Sequence, residues 1–271
     1  MCGIAGYIGY KKISEDSIER TLNLMKNRGP DHQESSTFQI GQANIYLLHS
    51  RLSIIDLDER SNQPFTFNNY TIVYNGEIYN YIEIRNDLIK RGYKFSTSSD
   101  TEVLLKAYIE YGEECVKHFN GMWAFVILDK KLNKIFMSRD RFGEKPFYYK
   151  KEEHGIYFAS EIKAIESLRN QKLKINYNYL KRYLIYGYKT LKKTSESYFH
   201  GIRELDSASN IYIDLRNLEL SQNKFWLPSC KIKEMTLDET IERTRYHLLR
   251  SVELRLRADV PIAFCLSGGV D

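Results

Sequence analysis

The second residue of the chain is a cysteine, in the run Met1-Cys2-Gly3-Ile4-Ala5-Gly6. Removal of Met1 leaves that cysteine with a thiol and a free α-amine on one Cα. The two groups ionise close together, at about 8.5 and about 7.7–8.0. The amine can therefore take the thiol proton near neutral pH, directly or through a water, and the nucleophile carries its own base. Gly3 and Gly6 let the backbone turn tightly and let a substrate approach. The ordinary reading stands beside this one: a cysteine among apolar residues also describes the start of a buried strand, and Cys2 taken alone favours it.

Further residues have chemistry to offer at particular spacings. Arg51, followed by Leu52-Ser53-Ile54-Ile55, is either an outward-facing residue of a half-buried strand or a clamp that meets a carboxylate with two parallel hydrogen bonds. Asn75-Gly76, after the apolar run Thr71–Tyr74, is a strong turn signal whose plain meaning is a hairpin. The same pair presents an Asn amide and a Gly backbone N–H on one side, and two such donors can hold an oxyanion. Asp100 precedes a helical stretch and either caps it or holds a ligand ammonium. At the far end, Pro261–Leu266 is wholly apolar and runs into Ser267-Gly268-Gly269-Val270-Asp271. A buried strand followed by such a turn usually opens a helix whose first N–H groups cradle a phosphate.

The elements that must position these residues are readable from periodicity. Cys2–Ile8 reads as a first strand. Ile18, Leu22 and Met25 mark one face of a helix over Ser14–Lys26, which Gly29-Pro30 ends. Ile45–Ile55 is strand-like but interrupted by His49-Ser50-Arg51. Helices are predicted over Asn80–Arg91 and Glu102–Tyr111, with Asp100 a candidate cap for the latter. Trp123–Asp129 and Lys134–Arg139 form a hairpin, Phe147–Lys151 and Ile156–Ser160 a second strand pair. A helix covers Tyr177–Tyr188, and a loop and strand cover Ile202–Asp214. After about residue 215 the character changes: Thr236-Leu237-Asp238-Glu239 is a capping box, and Leu237, Ile241, Leu248, Val252 and Leu256 mark one face of the helix it opens. An apolar strand needs parallel neighbours and covering helices, so residues 215–271 read as the first piece of a second domain cut off at its binding loop.

Composition narrows the function classes. The net charge of +5 comes from basic residues scattered along 271 positions, which describes a solvated surface rather than a nucleic-acid footprint. Cys2, Cys115, Cys230 and Cys265 show neither CxxC nor metal-ligand spacing. They fit a reduced, cytoplasmic protein. No segment approaches the roughly 20 apolar residues of a membrane span.

Taken in order, a set of motifs resembles the glutamine-hydrolysing asparagine synthetases, which begin with a class II glutamine amidotransferase domain. The motifs are Met1-Cys2-Gly3-Ile4, Arg28-Gly29-Pro30-Asp31, Arg51-Leu52-Ser53-Ile54 and Tyr74-Asn75-Gly76-Glu77-Ile78-Tyr79-Asn80. They continue with Ser99-Asp100-Thr101-Glu102, Arg139-Asp140-Arg141-Phe142-Gly143-Glu144-Lys145-Pro146, Ala159-Ser160-Glu161-Ile162-Lys163 and Leu266-Ser267-Gly268-Gly269-Val270-Asp271. The resemblance implies an α+β chain. Its main part is a four-layer αββα N-terminal nucleophile hydrolase sandwich over residues 2–214. Residues 215–271 follow as a linker and the first helix and strand of a truncated α/β ATP-pyrophosphatase domain.

It also implies roles. Cys2 is the nucleophile with its own amine as base, and Asn75 and the Gly76 N–H form the oxyanion hole. Arg51 clamps the glutamine α-carboxylate, Asp100 and Glu77 lie near its α-amine, and Leu52 and Ile55 line the pocket. Leu266, Ser267, Gly268, Gly269 and Asp271 match the ATP loop. The implied chemistry releases ammonia from L-glutamine through a Cys2 thioester, with no cofactor. The full-length family then uses ATP and Mg²⁺ to activate L-aspartate, and ammonia displaces AMP. The expected partners are glutamine, ATP and aspartate where the second domain is supplied, and a second copy in a homodimer; nucleic acid and membrane are not expected. The family often has a second Arg before the clamp, where this chain has His49-Ser50. Two other readings stay open: an inactive or regulatory remnant of the fold, and an amidotransferase that serves a different acceptor.

Overall fold

The computed structural model describes residues 1–187, 194–230, 232–265 and 268. In chain order the elements are β1 (Gly3–Gly9), α1 (Glu15–Met25), β2 (His32–Ile40), β3 (Ala43–Arg51), β4 (Phe65–Phe67), β5 (Tyr70–Ile78), α2 (Tyr81–Lys90) and α3 (Asp100–Tyr111). They continue as β6 (Gly121–Asp129), β7 (Lys134–Arg139), β8 (Tyr148–Glu152), β9 (Gly155–Ala159), α4 (Ile162–Arg169), α5 (Tyr177–Tyr186), β10 (Arg203–Glu204), β11 (Ser209–Asp214), β12 (Glu219–Lys224) and α6 (Leu237–Arg255).

The strands form two antiparallel sheets, ordered β10-β8-β9-β1-β3-β2 and β12-β11-β7-β6-β5-β4. Side chains alternate across each strand, and the alternation decides the layers. In β1, Ile4 and Ile8 join a core that also contains Val73 of β5 and Ala124, Val126 and Leu128 of β6. That core lies between the sheets. Ala5 and Tyr7 face the other way and pack with Ile18 and Met25 of α1 and Ala164, Ile165 and Leu168 of α4. In β6 the alternate residues Trp123, Phe125 and Ile127 pack with Ile84 and Leu88 of α2 and Val103, Leu104 and Ala107 of α3. The result is helices, sheet, sheet, helices: the four-layer αββα sandwich that the motifs imply.

Several elements differ from the sequence reading, each for a physical reason. β5 runs straight through Asn75-Gly76, with Gly76 opposite Trp123 of β6; there is no hairpin turn. Gly76 is there because a Cβ would overlap the Met122 carbonyl oxygen, the close backbone approach that strand glycines permit. β3 is not interrupted at His49-Ser50-Arg51 but ends there, and 52–55 is loop. The N-cap of α3 is Ser99, whose hydroxyl accepts from Thr101 N–H at 3.1 Å; Asp100 is inside the helix and its carboxylate is used elsewhere. The second sheet continues past residue 214, because β12 pairs with β11. A boundary at 214 would strip β11 of that neighbour.

The capping box at Thr236 and Glu239 opens α6 as the sequence predicts. Its apolar stripe is exposed at Leu237, Ile241, Leu248 and Val252, and Leu254 is the one buried residue of the helix. Residues 261–265 form no strand, since a strand exists by pairing and no described strand lies beside them. Leu266, Ser267, Gly269 and Asp271 lie outside the described residues, so of the predicted phosphate loop only Gly268 is seen, with φ +77°.

Candidate active site

Cys2 sits just before β1 and is fixed by residues of three distant motifs. Arg28 Nε donates to the Cys2 carbonyl at 2.9 Å. Ser160 brackets the next turn of chain: its Oγ accepts from Ile4 N–H at 3.1 Å and its N–H donates to Ile4 O at 2.8 Å. The Cys2 sulfur lies 3.4 Å from the Leu52 nitrogen and 3.5 Å from the Leu52 carbonyl oxygen. Burial pushes the thiol pKa up, and the Leu52 backbone contact pulls against it. The α-amine of Met1 is lowered from its usual 8.0, first by burial and further by Arg28 and Lys145, while Cys2 and Glu77 oppose.

The two donors expected from Asn75 and Gly76 follow from the register of β5. Trp123, opposite Gly76, directs its N–H and C=O to Asp140 on its other side. In an antiparallel ladder, Gly76 and its alternate neighbours Tyr74 and Ile78 must then turn their N–H groups away from β6. Tyr74 N–H finds Gln63 Oε1 at 2.6 Å and Ile78 N–H finds Asp100 Oδ2 at 3.0 Å. Between them, no described residue accepts from Gly76 N–H. Asn75 is buried, and its Nδ2 has no partner either. A buried donor such as Asn75 Nδ2 is costly unless something accepts from it.

The carboxylates are held apart in role. Asp100 is buried, and its Oδ2 takes both Ile78 N–H and the Tyr74 hydroxyl, the latter at 2.9 Å. Burial raises its pKa, and these two donors hold it back. Glu77 is raised by burial and by Asp100. Arg51 is buried at the end of β3. Its guanidinium donates to Asp58 O at 2.9 Å, to Asn62 Oδ1 at 2.7 Å and to Asp56 O, so its fork is aimed before any ligand arrives.

These groups enclose a cavity of about 290 Å³, near the lower end of the roughly 300–1,000 Å³ usual for small-molecule sites. Cys2, Arg51, Leu52, Ile55, Asn75, Gly76, Glu77 and Asp100 all line it; Gly268 does not. Sequence reasoning missed Lys145, Gln63 and Tyr74, which also line it. Lys145 is delivered by the loop after β7. Asp140 accepts four backbone N–H groups, from Trp123, Phe142, Glu144 and Lys145, at 3.0–3.2 Å, and Arg139 holds the Lys145 carbonyl at 2.6 Å. Burial lowers the Lys145 pKa, and Glu77 draws it back up. The one signal for Lys145 was its place in a charged loop already singled out as a motif.

Chemically, the cavity offers a buried thiol, two free donors beside it, an arginine fork and two acidic groups. That set suits an acyl transfer from a small substrate carrying both a carboxylate and an ammonium.

Comparison with known proteins points the same way. A family described as "Glutamine amidotransferase domain" matches residues 1–226, and one described as "Asparagine synthase" matches residues 243–271. The chain is 35% identical over 278 residues to asparagine synthetase (glutamine-hydrolyzing) 3 of Bacillus subtilis, covering 100% of this chain and 44% of that protein. It is 32% identical over 278 residues to asparagine synthetase (glutamine-hydrolyzing) 1 of the same organism, covering 100% and 42%. The chain spans about half the length of the curated relatives it matches. Among solved structures, the glutamine phosphoribosylpyrophosphate amidotransferase of B. subtilis shares the fold, with a TM-score of 0.59 and 17% identity over 84% of this chain and 50% of that one.

Proposed function

Because the chain belongs to the glutamine amidotransferase family, we propose that it is the glutaminase half of a glutamine-hydrolysing asparagine synthetase, with Cys2 as the nucleophile. The observation that carries this reading is the pair of unpartnered donors, Gly76 N–H and Asn75 Nδ2, in the same cavity as the Cys2 thiol.

The reading requires removal of Met1, which exposes the Cys2 α-amine. The neutral amine takes the thiol proton, and the sulfur attacks the side-chain amide carbon of glutamine. The carbonyl oxygen becomes an oxyanion between Asn75 and Gly76. The amine returns its proton to the departing nitrogen, ammonia leaves and a glutamyl thioester remains. A water, activated by the same amine, hydrolyses the thioester to glutamate and restores the thiol. Arg51 holds the substrate carboxylate, and Asp100 with Glu77 holds its ammonium. Leu52 and Ile55 wall the pocket.

The acceptor belongs to the longer protein. The match of residues 243–271 to the asparagine synthase family and the names of the longer relatives support asparagine as the product of that longer protein; aspartate activated with ATP and Mg²⁺ is what the family resemblance implies. The residues that would open the ATP loop lie, Gly268 apart, outside the described ones. Four free cysteines support a reducing, cytoplasmic setting. No described helix is long and apolar enough to cross a membrane.

The test is glutamate release from glutamine by the wild-type chain and by Cys2→Ala. Release by the wild type and none by the variant supports the reading; equal release by both refutes it.

A further inference from the structure

The segment after α6 reaches back to the glutamine pocket. Asp259 N–H donates to Ile54 O at 2.9 Å, and Asp56 N–H donates to Asp259 Oδ2 at 2.7 Å. This brackets the loop that follows Arg51, three of whose residues, Leu52, Ile54 and Ile55, line the cavity. Asp56 is therefore held on two sides. Its N–H is bound by Asp259, while its carbonyl accepts from Arg51 and its Oδ2 accepts from Ser98 N–H at 2.5 Å. Asp56 also has φ +54°, a backbone conformation that costs a non-glycine residue unless its surroundings enforce it.

The docking of this segment is not a single contact. Arg257 grips Glu83 of α2 with both terminal nitrogens, at 2.6 and 2.7 Å, and reaches Tyr79 O at 2.6 Å. Arg250 adds a third bond to Glu83 at 3.0 Å. These residues belong to the stretch matched by the asparagine synthase family, whereas the loop they hold belongs to the glutamine amidotransferase match.

We propose that Asp259 is a positioning residue for glutamine binding: through Ile54 and Asp56 it fixes the loop whose Asp56 and Asp58 carbonyls aim the Arg51 guanidinium. The inference rests on the glutaminase reading for its substrate. Linkage makes the coupling reciprocal. Glutamine on Arg51 tightens the loop against Asp259, and displacement of the 256–259 segment loosens the glutamine site. Asp259 is largely exposed, so this bond can open without unpacking the core.

The test uses the whole chain as wild type, Asp259→Ala and Asp259→Asn. Glutamine KM and kcat are measured together with amide hydrogen exchange at Asp56, and exchange in β6 reports whether the core is intact. Asp259→Ala is expected to raise KM roughly fivefold with kcat little changed, and to speed exchange at Asp56 by a similar factor, as loss of one ordinary hydrogen bond implies. Asp259→Asn keeps an oxygen that accepts from Asp56 N–H and should stay near wild type in both. Unchanged KM and exchange in Asp259→Ala overturn the proposal, as does an Asn variant as impaired as the Ala variant. A wild-type chain that hydrolyses no glutamine refutes the glutaminase reading instead, and exchange at Asp56 alone then decides whether Asp259 holds the loop.

Discussion

The Leu52 nitrogen lies 3.4 Å from the Cys2 sulfur, across 50 residues of sequence. Leu52 directly follows Arg51, so the residue that touches the sulfur is chained to the residue proposed to clamp the substrate carboxylate. On the proposed reading, the backbone between these two residues fixes where the two ends of glutamine would be held. Burial pushes the thiol pKa up, and an adjacent base would offset that.

Asn75→Ala removes one of the two free donors without removing a bond, since Asn75 Nδ2 has no partner among the described residues. The variant should fold, bind glutamine with similar KM and lose about 10²–10³ in kcat. Steady-state kinetics check this. A kcat within twofold of wild type would remove Asn75 from the oxyanion site.

Gly76→Ala acts through packing. The new Cβ overlaps the Met122 carbonyl oxygen and crowds Trp123, so β5 and β6 must part at the centre of their ladder. A destabilisation of about 1–3 kcal/mol follows, read from urea midpoints, with activity lost alongside it. Wild-type stability would mean that the strand spacing adapts freely.

These two neighbours also show what the sequence could tell and what it could not. The pair was legible as a donor set, yet its local meaning was misread: Asn-Gly signals a turn, and only the approach of Met122 across 46 positions keeps β5 straight. Asp100 was read either as a helix cap or as a group that holds a ligand ammonium; the cap is Ser99, and the Asp100 carboxylate lines the pocket and goes to Ile78 and Tyr74 on another element. Polar strands were missed for want of an apolar pattern. β2, His32–Ile40, is an edge strand with no buried residue, so nothing in its composition announces it. Lys145 was overlooked because its position depends on Asp140 gathering four N–H groups, a loop geometry that no periodicity encodes. Motif order carried the fold because motifs far apart in sequence meet around Cys2, Arg28 at its carbonyl and Leu52 at its sulfur; the 261–265 run was read as a buried strand and has no described strand beside it, and the apolar stripe marked on α6 is exposed.

The dock of α6 should be acid-sensitive. Glu83 is held down to about 2 from 4.5, chiefly by Arg257 with Arg250 assisting and burial opposing. A carboxylate whose folded pKa is lowered contributes stability that is complete above its unfolded value and lost as pH falls through the folded one. Wild type should therefore exceed Glu83→Gln in stability above about pH 4.5, with the gap closing toward pH 2. Glu83 is close to half exposed, so the gap will be small. Urea titrations of both proteins across this range check the sign; a gap that is constant or widens on acidification contradicts it.

The central claim is that Cys2, freed of Met1, is a nucleophile in a formed glutamine pocket. Intact-protein mass before and after treatment with a diazo-ketone analogue of glutamine tests it most directly. The account predicts an untreated mass lacking Met1 and, after treatment, one adduct that maps to Cys2 and is suppressed by glutamine. Retention of Met1 would contradict the mechanism, because the base would not exist. A processed chain that forms no adduct would contradict the pocket.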